Sequence, residues 1–400
     1  MRTLWIQVKP QLRLVIDMNK YNFDELVNRK NTGSYKWNVL KDNELPMWVA
    51  DMDFHVLPEI KEAILKRVEV DAFGYVECPN EYFESYKNWF KRNHDLDLDT
   101  RCMAFSIGVV ASIDSILKHL VPSNSGVVIQ PPVYHVFYNC IKNNGLKVIE
   151  NKIIDKDNYQ IDFDDLERLL SDENTKAMIL CNPHNPIGRI WSKEELKRIA
   201  DLCNKYDVLL ISDEIHCDIT EPGTKYNSIL SVSDTAIALL APTKAFNIAS
   251  IKSSIAYCPD ESIKVKILKG FSMDDIGEPN YIASPATIAA FTYGDEWNKQ
   301  VREYIYNNKK YVVDFINKEL PMLKVTNMKA TYLLWVDISE VSNNSEAFMV
   351  HMRRQTGLFV SAGKQFGSGG EGHIRINLAT SLANVKDACE RLKQYILSIS

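Results

Sequence analysis

Three polar side chains stand at the ends of short apolar runs, and between them they supply an amine, a carboxylate and an amide. Lys244 lies in Ala241-Pro242-Thr243-Lys244-Ala245-Phe246-Asn247, just past the apolar run Ala236 to Leu240. A lysine between a buried strand and a stretch of small residues is partly desolvated, which favours the neutral amine and suits it to imine formation. Alone, it reads equally well as an ordinary loop lysine. Asp213 follows the run Val208 to Ser212, and Asn185, in Asn182-Pro183-His184-Asn185-Pro186, follows Ala177 to Cys181. Each of these has a plain structural explanation too, since aspartate after a strand often caps a helix and Asn-Pro marks a turn. Three such groups at successive strand ends point to one ligand, because open α/β sheets bind ligands outside the carboxyl ends of their strands.

Pyridoxal phosphate is the chemistry that uses all three. A lysine holds its aldehyde as an imine, a carboxylate keeps the ring nitrogen protonated, and an amide donates to the phenolic ring oxygen. Its phosphate asks for backbone N–H groups at a helix start. Ser106-Ile107-Gly108-Val109-Val110-Ala111-Ser112 immediately precedes the helical face formed by Ile113, Ile116, Leu117 and Leu120. Tyr134, after Pro131-Pro132-Val133, is a candidate to stack on the ring.

The elements that must position these groups are legible in outline. Leu57 to Val70 and Glu81 to Asn93 read as helices, separated by a turn at Phe73-Gly74-Tyr75. Val127 to Gln130, Ala177 to Cys181, Val208 to Ser212 and Ala236 to Leu240 read as strands. Ser192-Lys193-Glu194-Glu195 opens a helix with a capping-box pattern. Strands alternating with amphipathic helices predict an α/β layered domain with a mostly parallel sheet. Beyond about residue 295 the pattern changes to a long helix over Glu296 to Lys318. Shorter strands follow at Thr331 to Asp337, Leu358 to Ser361 and His373 to Leu378, and a helix at Leu382 to Leu397. That order reads as a smaller α+β domain. Gly367-Ser368-Gly369-Gly370 reads as a loop and the most flexible stretch.

Composition sets the limits. Net charge is −5 over 400 residues, so no nucleic-acid or anionic-membrane partner is expected. No apolar run is long enough to suggest a membrane span. Eight scattered cysteines, without a C-x-x-C pair, read as reduced core thiols in a cytoplasmic protein and not as metal ligands; no metal is expected. Met1 to Asp17 lacks the pattern of a signal peptide. It is expected to be an extension outside the fold, with Met18 as the natural start.

The strings Pro46-Met47-Trp48-Val49-Ala50-Asp51-Met52-Asp53-Phe54, Asn182-Pro183-His184-Asn185-Pro186-Ile187-Gly188-Arg189, Ser212-Asp213-Glu214-Ile215-His216 and Ile374-Arg375-Ile376-Asn377 carry a resemblance. So do Phe73-Gly74-Tyr75, Pro131-Pro132-Val133-Tyr134, Lys244 to Ala249 and Thr331-Tyr332-Leu333-Leu334-Trp335. The sequence resembles fold-type I pyridoxal phosphate enzymes, the aspartate aminotransferase superfamily. Within that superfamily it looks most like the MalY/PatB group of cystathionine β-lyases. The resemblance runs from about Tyr21 to the C-terminus. It implies a large cofactor-binding domain over 56–295, with a mixed, mostly parallel sheet, and a smaller α+β domain from 18–55 and 296–400.

The resemblance also implies roles. Lys244 matches the lysine that binds the cofactor and moves the Cα proton. Asp213 matches the ring-nitrogen partner, Asn185 the donor to the ring oxygen and Tyr134 the stacking aromatic. Gly108, Val109 and Val110 lie where the phosphate is held, and Tyr75 matches a tyrosine reaching the phosphate from the second subunit of a homodimer. Arg375 matches the arginine that clamps the substrate carboxylate, a task suited to its planar fork; the Ala50 backbone N–H is placed beside it. Thr243 keeps a hydroxyl where the family usually has serine. His216 stands where aspartate aminotransferases have tyrosine, and histidine there is common among the lyases. Lys252 stands where an arginine often meets the phosphate; it keeps the charge and loses the fork. The implied activity is a carbon–sulfur β-lyase taking L-cystathionine or a similar S-substituted cysteine. The alternatives are an aminotransferase using the same groups and, less favoured, a regulatory protein binding a transcription factor.

Overall fold

The computed structural model describes residues 21–25, 27–154 and 158–399. The expected N-terminal extension, Met1 to Asp17, lies outside the described residues. The chain opens with strand β1 (Leu45–Pro46), helices α1 (Pro58–Val68) and α2 (Asn80–His94), strand β2 (Met103–Ser106) and helix α3 (Val109–Leu120). It continues through β3 (Gly126–Ile129), α4 (Val136–Asn143), β4 (Lys147–Glu150), α5 (Phe163–Leu170), β5 (Thr175–Cys181) and α6 (Lys193–Lys205). Next come β6 (Leu209–Asp213), β7 (Ile237–Leu240), β8 (Ser254–Tyr257), α7 (Glu261–Met273), α8 (Ala283–Tyr293) and α9 (Asp295–Glu319). The last elements are β9 (Lys324–Val325), β10 (Leu333–Asp337), α10 (Ser345–Thr356), β11 (Leu358–Phe359), β12 (Ser361–Ala362), β13 (His373–Asn377) and α11 (Leu382–Ile399).

Among the described residues, the large sheet has seven strands in the order β2-β8-β7-β6-β5-β3-β4. β4, β3, β5, β6 and β7 run parallel, and β8 runs antiparallel to both β7 and β2. Its central strands are buried on both faces, which is why they read as unbroken apolar runs. Val127, Ile129, Ala177, Ile179, Ile211 and Leu239 pack on one side; Val128, Met178, Leu180, Leu210 and Leu240 pack on the other. The capping box is formed: the Ser192 hydroxyl accepts from the Glu195 N–H at 3.1 Å, and the Glu195 carboxylate accepts from the Ser192 N–H at 2.8 Å.

A second sheet, of four antiparallel strands in the order β12-β13-β10-β9, is built from the C-terminal part, and β1 pairs in parallel with β11. Two expectations change in detail. The run Leu358 to Ser361 is two strands: β11 faces β1 and β12 faces β13. Phe73-Gly74-Tyr75 forms no turn; it lies in an irregular segment, with the Tyr75 side chain fully exposed. The glycine-rich stretch is a loop, as expected; the Ser368 hydroxyl donates to the Glu150 carboxylate at 2.5 Å, and a Cβ on Gly367 would collide with the Tyr138 hydroxyl. All eight cysteines are free, six of them buried.

Candidate active site

The sheet order places β5, β6 and β7 side by side and parallel, so their carboxyl ends open on one edge. Asp213 ends β6, Asn185 lies four residues past β5, and Lys244 lies four residues past β7. All three line one cavity of about 210 Å³. The same cavity is lined by Ala50, Gly108, Val109, Val110, Tyr134, His216, Thr243 and Lys252. Arg375 does not line it but is bonded to a residue that does: its Nη1 donates to Asn185 Oδ1 at 3.0 Å. Tyr75 stands apart from the cavity and meets solvent.

Each group is held by local chemistry. The Asn185 turn is closed by His184 N–H to the Arg189 carbonyl, 2.8 Å, and is tied down where the Lys329 and Ala330 N–H groups donate to the Gly188 carbonyl. Gly188 has φ +68°, and a Cβ there would sit 2.4 Å from Met328 Cβ, so this position needs glycine. Asp213 Oδ1 accepts from the Ile215 N–H at 3.1 Å, the turn that aspartate favours after a strand. Lys244 Nζ donates to the Ala50 carbonyl at 2.6 Å. Asn247, three residues on, accepts from the Met52 N–H and donates to the Phe54 carbonyl, stitching the lysine loop to the segment that carries Ala50.

Burial controls the protonation of these groups. It pulls the Lys244 ammonium down to about 8; the nearby Asp51 charge opposes this, and Arg375 adds to it. It pushes the Asp213 carboxyl up to about 7, against the Ile215 hydrogen bond and the charge of Lys244. Burial, with the cations Lys244 and Arg375, lowers His216 well below the ordinary histidine range, so its ring is neutral at neutral pH. Arg375 is drawn down by burial to about 10 and stays cationic. Burial also lifts the Tyr134 hydroxyl to about 12.

Four features fit a bound pyridoxal phosphate. Helix α3 starts at the cavity without a side-chain cap and without an acid in its first turn, leaving its N–H groups and positive dipole end for an anion. A Cβ built on Gly108 would meet nothing within 4 Å, so the cap position leaves open space for a close-approaching group. Asp213 is buried and has no ion-pair partner among the described residues, which a cationic ring nitrogen would supply. His216 Nδ1 and Arg375 Nε are buried without a hydrogen-bond partner.

Residues 44–392 match the aminotransferase class I and II family model. The chain belongs to this family. It is 35% identical over 382 residues to the cystathionine β-lyase PatB of Bacillus subtilis, covering 93% of this chain and 99% of PatB. Cystalysin from Treponema denticola, whose crystal structure contains pyridoxal 5'-phosphate, superposes with a TM-score of 0.92 at 32% identity. That match covers 95% of this chain and all of cystalysin. A pyridoxal phosphate-bound chain from Clostridium difficile 630, provisionally named an aminotransferase, superposes with a TM-score of 0.91 at 37% identity, covering 94% and 100% of the two chains. The resemblance to the MalY/PatB lyases and to fold type I therefore holds.

Sequence reasoning did not single out Ile107, Ala111, Cys181, Ile215, Ala249 and Ser253, which also line the cavity. Most are direct neighbours of residues that it did name. It also missed what holds Arg375: the guanidinium Nη2 donates to the Trp48 carbonyl at 3.0 Å and to Ser361 Oγ at 3.4 Å.

Proposed function

We propose that this chain is a pyridoxal 5'-phosphate-dependent carbon–sulfur β-lyase. It converts L-cystathionine and water to homocysteine, pyruvate and ammonia, and takes similar S-substituted cysteines in the same way. The observation that carries the reading is the convergence of Lys244, Asp213 and Asn185 on one cavity at the start of α3, in a chain 35% identical to a cystathionine β-lyase.

When bound, pyridoxal 5'-phosphate takes up the substrate amine and supplies the electron sink for cleavage. The chain's own groups do the rest. Lys244 binds the cofactor and, once released by substrate, takes the Cα proton; with its pKa near 8, about a tenth of the amine is neutral at pH 7. Asp213 pairs with the ring nitrogen, a buried acid given a cation to face. Asn185 has its oxygen occupied by Arg375, so its NH₂ is left to donate to the ring oxygen. Arg375 binds the substrate carboxylate beside the Ala50 N–H, fixing which Cα bond Lys244 reaches. Tyr134 would cover the ring face, and neutral His216 lines the same cavity and would face the cofactor. The N–H groups of Gly108, Val109 and Val110, the Thr243 hydroxyl and Lys252 hold the phosphate.

The functional form is a cytoplasmic homodimer in which the Tyr75 hydroxyl reaches the phosphate of the second subunit. Its full exposure in the single chain supports this role. Arg375 and Ala50 come from the smaller domain, over 18–55 and 296–400, and the remaining groups from 56–295. Among the described residues no helix is long and apolar enough to cross a membrane.

Incubation with L-cystathionine alone tests the reading. Pyruvate and homocysteine should form in equal amounts without any added 2-oxo acid. Turnover that begins only when a 2-oxo acid is supplied would overturn it in favour of an aminotransferase. Lys244→Ala should abolish turnover and the yellow colour of the lysine-linked cofactor; a variant that kept both would remove Lys244 from the mechanism.

A further inference from the structure

Residues 48–52 have no helix or strand, yet every carbonyl in the segment is taken. Trp48 accepts from Arg375 and Ser361, Ala50 from Lys244, and Met52 from Arg29. The two remaining carbonyls share a side-chain donor, and each takes a second bond: Val49 from the Asp51 N–H at 2.9 Å and Asp51 from Lys36 Nζ at 3.2 Å. Asn377 Nδ2 donates to Val49 at 2.6 Å and to Asp51 at 2.8 Å, bridging the peptides on either side of Ala50. Its Oδ1 accepts from the Ala379 N–H at 2.8 Å, so the amide cannot flip without losing three bonds. Asn377 is fully buried and sits two residues after Arg375 on β13, so both side chains leave the same face of the strand.

We propose that Asn377 is a positioning residue that sets the orientation of the Ala50 peptide as a two-sided element of the site. The Ala50 carbonyl receives the Lys244 ammonium, and the Ala50 N–H, which has no partner among the described residues, completes the carboxylate site that Arg375 begins. The inference rests on the reading of Arg375 as the carboxylate clamp. Only asparagine has the required shape: two donors on one nitrogen and an acceptor beside it. Aspartate would set lone pairs against two carbonyls, and glutamine is one methylene too long for a close-packed site.

The test compares binding of L-alanine and L-alaninamide to the holoenzyme, followed by the change in visible absorbance. Both ligands present an α-amine; one has the carboxylate and the other does not, and neither carries a β-leaving group. Asn377→Ala should weaken L-alanine binding about tenfold, the loss of one well-placed hydrogen bond to a charged group. L-alaninamide binding and cofactor retention should be unchanged. Asn377→Ser, small and with one donor left, should show a smaller loss in the same direction and serves if the alanine variant fails to fold. Equal weakening of both ligands, or no weakening of either, would overturn the proposal. Arg375→Lys separates the two levels. If it leaves the preference for L-alanine intact, the carboxylate reading itself fails. If it removes the preference while both Asn377 variants keep it, only the role of Asn377 fails.

Discussion

Replacing Asp213 by asparagine should have opposite effects on the cofactor-free and cofactor-loaded protein. Asp213 is buried at the end of β6, and burial raises its carboxyl from 3.8 to about 7. The folded state therefore keeps its proton to higher pH than the unfolded chain. Between about pH 4 and pH 7 unfolding releases that proton, so stability falls across the window and is level above it. At 1.36 kcal/mol per tenfold change in proton affinity, the ionised carboxylate costs the apoprotein roughly 4 kcal/mol by pH 8. Asparagine has the same shape and no charge, so Asp213→Asn should match wild type near pH 4 and exceed it by several kcal/mol at pH 8. With cofactor the sign reverses, because the carboxylate then faces a cation. Losing one partner of a buried charge pair costs about 2–5 kcal/mol, so cofactor affinity should fall by roughly 30-fold or more. Thermal unfolding of both apoproteins from pH 4 to pH 9, with cofactor titrations at pH 8, measures both halves. A stability difference that does not widen between pH 4 and pH 8, or a variant that binds cofactor as tightly as wild type, would refute the assignment.

Lys252 takes a left-handed backbone conformation, φ +59°, at the cavity wall. Lys252→Ala should weaken cofactor binding about tenfold, the value of one hydrogen bond from a charged group, and Lys252→Arg should bind at least as tightly as wild type. Tyr75→Phe should leave thermal stability within about 0.5 kcal/mol, as expected for an exposed side chain, yet lower cofactor affinity in the dimer. An unchanged affinity would exclude the shared site. Lys36 is fully buried, with Nζ 2.7 Å from Asp53 Oδ2, and Trp37 Nε1 donates to the same carboxylate at 2.8 Å. Asp53→Asn strips the ammonium of its counter-charge and should cost about 3–5 kcal/mol by thermal unfolding, while Lys36→Met with Asp53→Leu should recover most of it.

The strand-end groups could be read from sequence because each lies at the end of a strand buried on both faces or within four residues of it. Such a strand is a short unbroken apolar run, and the residue after it is fixed in space within a few ångströms. β4 and β8 escaped for different reasons. β4 is an edge strand whose side chains are half-exposed, so its Lys147-Val148-Ile149-Glu150 pattern is not apolar throughout. β8 runs antiparallel and follows β7 through the loop that carries Lys244 instead of a crossover α-helix, so it breaks the strand–helix alternation that revealed its neighbours. Arg375 and Ala50 belong to a third kind. No periodicity points to them, and only the family resemblance carried them. Ala50 lies in a segment without regular structure, whose shape is imposed by side chains that arrive from far along the chain: Lys244, Arg375 and Asn377, the last separated from Asp51 by 326 residues. Spacing along a sequence reports the period of a helix or strand, and here the period of β13 does place Asn377 on the face of Arg375. What that face meets is set by tertiary packing, which has no period. A side-chain amide clamping two remote carbonyls is therefore the part of this site that a sequence reading reaches last.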